Sequence, residues 1–109
     1  MTAALFLAQR LSAIVLAFAV VVHIGTILYA VRGGLTAAEI LSRTRGSAAF
    51  LAFYTLFVVA VAVHAPIGVR NILREWGGIR GISADMAAGM FALLLLLLGL
   101  RSVYAVYVS

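Results

Sequence analysis

The stretch HAPIGVRNILREWG, His64 to Gly77, carries a histidine in an apolar run just before an arginine-rich exit, and its reading decides the fold. A helix turns about 100° per residue, so His64, Gly68, Asn71 and Glu75 share one face, polar from the apolar interior outward. Gly68 stands one turn beyond the histidine and has no side chain to keep a flat ligand or a neighbouring backbone away. Pro66 lacks the N–H that would bond the carbonyl of Ala62, so a kink or a free carbonyl is expected there.

Working outward, the whole chain shares the character of that run. It has 109 residues, 66% of them hydrophobic, and a single proline, with a mean hydropathy of +1.23. That composition belongs to an integral membrane protein and excludes an ordinary soluble domain. Three hydrophobic spans leave almost no residues for a globular head, so substrate chemistry in water would belong to another polypeptide. The net charge of +5 comes from arginine alone on the basic side, against Glu39, Glu75 and Asp85. These arginines stand singly at the ends of apolar runs, where lipid headgroups or the acid groups of a cofactor are their partners, and there is no nucleic-acid signal. The absence of cysteine excludes disulfides, thiolate catalysis and cysteine-ligated clusters within the chain.

The first span runs from about Leu11 to Val31. Its roughly 21 residues reach about 31 Å, enough for a hydrocarbon core and too long for a signal peptide. Its one strongly polar side chain is His23. Ser12 lies on the same face as His23, because eleven residues is close to three turns, and Ser12 can alternatively bond back to its own helix. Arg10, at the entrance, points elsewhere on the wheel and can anchor to headgroups or reach round.

In the loop that follows, Leu35 to Arg43 is a short amphipathic helix with Thr36 and Glu39 at capping-box spacing, expected to lie at the membrane surface. The second span runs from about Ala48 to Arg70, with Phe50, Phe53, Tyr54 and Phe57 recurring as a packing stripe. The connector Asn71 to Ala84 is a membrane-surface turn. The third span, about Asp85 to Tyr104, includes unbroken leucine from Leu93 to Leu98 and closes the bundle facing lipid, with Met86, Met90 and Phe91 assigned to packing. The expected architecture is therefore all-α: one membrane-anchor domain of three transmembrane helices, up-down-up, plus a short interfacial helix in the first loop. Charge does not orient it, since Arg10, Arg70, Arg74 and Arg80 on one side balance Arg32, Arg43, Arg45 and Arg101 on the other.

An ionisable side chain inside a membrane span is costly and faces a partner or a cofactor, and a neutral imidazole is the common protein ligand of haem iron. His64 and His23 are the two candidates. If Arg10 and Arg70 are level at one face, His23 lies roughly 20 Å deep and His64 roughly 9 Å. A pair offset by about 10 Å along the membrane normal cannot share one iron, so two haems are expected, each completed by a partner's histidine; the competing expectation is one haem on His64.

The order of these features, Arg10-Leu11-Ser12 at the start of span one, then His64-x-x-x-Gly68-Val69-Arg70 and Glu75-Trp76-Gly77, resembles the membrane-anchor cytochrome b subunits of succinate dehydrogenase and fumarate reductase. The resemblance covers Gln9 to Gly77. It implies that His64 is an axial ligand of haem b, that Arg10 and Ser12 lie near quinone and the haem propionates, and that Trp76 borders the same quinone pocket; Arg70 is expected on a propionate or a headgroup. Gln9, Phe6 and Asn71 depart from the family, standing where relatives have a histidine, a quinone-site serine and a second histidine. The resemblance further implies a second membrane-anchor subunit, with an iron–sulfur subunit and a flavoprotein subunit docking on the side of Arg10 and Arg70, the cytoplasmic side of a bacterial inner membrane. Two other functions compete: a haem-free structural anchor, and a small three-span transporter, for which the buried stretches offer few polar groups and no acid.

Overall fold

The computed structural model describes residues 2–79 and 81–109; Arg80, counted above among the arginines of one side, lies outside them. The chain folds as α1 (Ala3–Gly33), α2 (Ala37–Thr44), α3 (Ala48–Glu75) and α4 (Ile82–Val108). Three of these helices are long and apolar enough to cross a membrane, the build of an integral membrane protein. The molecule is 47 Å long and 23 by 22 Å across, so its helices exceed a hydrocarbon core of about 30 Å and project from it.

The helices overrun the apolar windows for a simple reason: an arginine ends a hydrophobic run without ending a helix. α1 starts eight residues before Leu11, where Thr2 Oγ1 accepts from the Leu5 amide. It stops where Gly34 takes φ 113°, a conformation suited to glycine. α2 forms where the capping-box spacing places it, one to two residues later than expected, with Thr36 and Glu39 capping each other. α3 begins at the Ser47 cap and continues past Arg70 to Glu75 without interruption at Pro66.

α3 lies between the other two long helices, packing on α1 along one side and α4 along the other. The buried positions are mostly small: Ala19 on α1, Ala60 on α3, Ala84 and Ala88 on α4. Small residues let backbones approach where lipid removes the hydrophobic drive between helices. Gly99 shows how close that approach is, since a Cβ there would stand 2.6 Å from Val58 Cγ1. At the far end, α2 and the turn after it are tied to α4 by Thr44 Oγ1 donating to the Val106 carbonyl at 2.9 Å and the Gly46 amide donating to the Tyr107 carbonyl at 2.9 Å. Met86 and Met90 are exposed on this chain, so the packing expected of them is not made within it.

Candidate functional site

Ser12 is buried on the face of α1 that meets α3. Its hydroxyl donates to the Gln9 carbonyl at 3.1 Å, and its oxygen lies 3.4 Å from His64 Nδ1. The serine bonds back to its own helix, one of the two sequence alternatives, and it also stands against His64, a contact not expected from the sequence. A hydroxyl has one proton: when Ser12 gives it to Gln9, His64 Nδ1 is the donor in the second contact, and when Ser12 turns it toward His64, Nδ1 accepts. In the first arrangement the imidazole proton is on Nδ1 and Nε2 keeps its lone pair. Nε2 makes no hydrogen bond among the described residues, and it is not sealed from the surface.

His23 is held by a longer chain of the same logic. Thr26 Oγ1 donates to the His23 carbonyl at 2.7 Å, and the Tyr54 hydroxyl stands 2.9 Å from Thr26 Oγ1 and 3.1 Å from His23 Nδ1; with Tyr54 donating to Thr26, Nδ1 donates to Tyr54. Nε2 of His23 is again the free nitrogen. The imidazole stands edge-on to Tyr54 and Phe57, with ring centroids 5.8 and 5.3 Å away, so the aromatic stripe of α3 holds a histidine as well as packing on itself. His23 and Tyr54 line a cleft of about 730 Å³ walled by Ile27, Phe50 and Phe53 and reached by Arg43 from α2.

These contacts give the register of α1 against α3 in reverse order: Ser12 with His64, His23 with Tyr54. Ten residues separate Tyr54 from His64, so the two histidines lie roughly 15 Å apart along the helices. The sequence estimate of about 10 Å took Arg10 and Arg70 as level. The register instead sets Arg10 near Ile67, about three residues short of Arg70, and the separation grows. One metal cannot be bonded by both histidines.

The remaining candidates are dispersed. Arg10 points outward, its guanidinium 5.7 Å from the Phe6 ring, and it touches neither Ser12 nor His64. Arg70 donates from Nε to Asp85 at 2.6 Å, with Arg74 3.8 Å from the same oxygen; this ion pair edges a cavity of about 400 Å³ beside Pro66. Trp76 caps α3 and is 84% exposed, some twelve residues or roughly 18 Å along α3 from His64, so this chain alone does not place it beside Ser12. Over Gly68 the nearest side-chain atom is Gln9 Nε2, 3.7 Å from where a Cβ would be, an ordinary van der Waals distance from a flexible side chain. The buried Oε1 of Gln9 has no partner among the described residues.

Sequence reasoning treated Tyr54 only as packing and missed Thr26 and Asp85 as partners. Once Ser12 faces His64, the reverse register alone brings His23 to Tyr54. Asp85 could have been read from its place, the one acid in the first turn after an arginine-rich connector.

Among the described residues no three of His, Asp and Glu gather to enclose a metal ion. Each histidine instead has Nδ1 in contact with a hydroxyl and Nε2 without a hydrogen bond among the described residues. That donor set suits a metal that brings its remaining ligands with it, as a metalloporphyrin does, and haem b fits it. No family model, no characterised protein and no solved structure matches the chain.

Proposed function

We propose that this chain is a haem b-binding membrane-anchor subunit of a succinate:quinone oxidoreductase-type complex. The observation that supports this reading most directly is the pair of intramembrane histidines, each in contact through Nδ1 with a hydroxyl of the opposite helix and with Nε2 making no hydrogen bond among the described residues. The chain crosses a bacterial inner membrane three times, up-down-up, with α2 on the surface opposite the iron–sulfur and flavoprotein subunits. A second membrane-anchor subunit would cover the His64 face and contribute a further ligand to the haem. His64, oriented by Ser12, holds the haem nearer the iron–sulfur side; His23, oriented by Tyr54, holds a second, distal one. The chemistry that bound haem b supplies is reversible one-electron transfer between the iron–sulfur subunit and membrane quinone. Arg70 is already held by Asp85, which leaves Arg10, with no acid partner among the described residues, as the cation for a propionate or a quinone oxygen, reached by its long side chain from the outer face of α1. Trp76 borders the quinone site where the iron–sulfur subunit docks.

A haem-free structural anchor is the second reading, favoured by the hydrogen bonds that already engage both histidines within the chain. A reduced-minus-oxidised optical spectrum of the purified complex decides between them: a haem b band is expected, and its absence refutes the cytochrome reading. Arg10→Leu is expected to impair quinone turnover more than succinate-to-dye turnover; equal losses would count against a quinone role.

A further inference from the structure

We infer that Arg43, on α2, is the cation that holds the acidic edge of the porphyrin seated on His23. This rests on the assignment of a second haem to His23 and adds to it a residue outside the expected motif.

The cleft beside His23 is apolar along α1 and α3, with Ile27, Phe50 and Phe53 in its walls, and it takes a single cation, from α2. An occupant that fits must have an apolar body and an acid at one end. Arg43 is set at that end: its terminal nitrogen donates to the Gly34 carbonyl at 2.7 Å, and its guanidinium carbon lies 5.7 Å from the Tyr29 ring. Tyr29 follows His23 by six residues, roughly 9 Å along α1. The nitrogen that bonds the metal and the cation that meets the acid are thus separated along the helix, as the centre of a porphyrin is from its carboxylates. A guanidinium has five donors, and the carbonyl of Gly34 takes only one direction of them, so the fork remains able to bind a carboxylate. Glu39, one turn before it on α2, acts on it only through space and forms no ion pair with it among the described residues. A phospholipid offers the same combination of acid and apolar body. What argues for a porphyrin is His23, whose free nitrogen would have no function against acyl chains.

The test uses the complex purified with its partner subunits. Wild type should hold two haems b per copy of this chain, and His23→Ala one. Arg43→Gln should either lower the ratio toward one or shift one of the two potentials. Losing a positive charge disfavours the reduced haem, so at fixed potential its reduced-to-oxidised ratio should fall about tenfold, equivalent to about 59 mV downward for one electron. The His64 haem should be unmoved in the same sample, which reports that the variant is folded. Arg43→Lys should restore most of the potential. Thr36→Ala removes the cap of α2 with no change of charge and should leave both potentials in place. If Arg43→Gln changes neither occupancy nor potential while His23→Ala removes a haem, Arg43 has no such role although the second haem stands. If Thr36→Ala reproduces the shift, Arg43 acts only by holding α2. If wild type has one haem and His23→Ala is spectrally silent, the second-haem assignment itself fails, and enrichment of anionic phospholipid in wild type over Arg43→Gln would then give the cleft to a lipid.

Discussion

The two ends of the α1–α3 pair treat the same residue type in opposite ways. At the Ser12–His64 end a serine is buried against the histidine, and a glutamine side chain lies over Gly68. At the His23–Tyr54 end a phenol reaches the histidine and large rings line an open cleft, with α2 contributing a cation. Each histidine is nonetheless oriented through Nδ1. Orientation therefore depends on having one acceptor at the right height of the opposite helix, whereas room depends on the size of the residues around it. The chain shapes a cleft beside His23, while at His64 a buried serine stands against the ring.

That contrast fails most visibly if the histidines are exchangeable. His64→Ala should abolish or mis-ligate one haem outright and leave the His23 species intact; an unchanged spectrum would sink the assignment. Removing the orienting group is expected to do less. Tyr54→Phe takes away the acceptor of the His23 proton, and loss of such a group costs about 10 to 100-fold in metal affinity. Haem retention under a competing apo-protein should drop at His23 alone, and equal retention would mean the tautomer is set by something else. Smaller again is the packing effect. Gly99→Ala drives a methyl group against Val58, whose branched side chain has little freedom to yield, and overpacking of this kind costs about 1–3 kcal/mol. Gly25, by contrast, has nothing within 4 Å of a built Cβ, so Gly25→Ala should not destabilise. Thermal unfolding in detergent that lowered both variants equally would refute the close α3–α4 approach.

The long helices were legible because lipid demands twenty or so apolar residues in a row, and this chain has three such runs. Their ends were not, since Arg10 and Arg70 end hydropathy and leave the helix unaffected. The histidines stood out for their cost in an apolar span, and Thr36 with Glu39 stood out by spacing. What stayed hidden needs the register between helices: that Tyr54 meets His23, that Arg70 is spent on Asp85, and that Gln9 covers Gly68. Each is a contact across the bundle, and hydrophobic helices leave their mutual register almost unmarked in sequence. Asp85 and Tyr54 were visible as residues but not as partners.

The smallest expected effect sharpens the contrast, because only the His23 end carries a titratable cap. The Glu39 carboxyl is held below the usual glutamate range, chiefly by the hydrogen bond from the Thr36 hydroxyl, then by the Thr36 amide and by the charge of Arg43. A carboxyl depressed in the folded state binds its proton less readily there than in the unfolded chain. Its contribution is therefore complete above the ordinary glutamate value, about 4.3, and is lost as pH falls through the depressed one. In that acidic window α2 should fray from its first turn, and the Ile40 amide, which donates to the Thr36 carbonyl at 2.9 Å, should lose hydrogen-exchange protection after correction for intrinsic rates. Glu39→Gln keeps an acceptor but cannot titrate, so its α2 should show the same protection across the window. Amides of Leu93–Leu98 in α4, a run with no carboxylate, should be flat in both proteins. If wild type and Glu39→Gln follow one curve, the capping box is not what holds α2, and the cover over the His23 cleft must be attributed to its ties to α4 at Val106 and Tyr107.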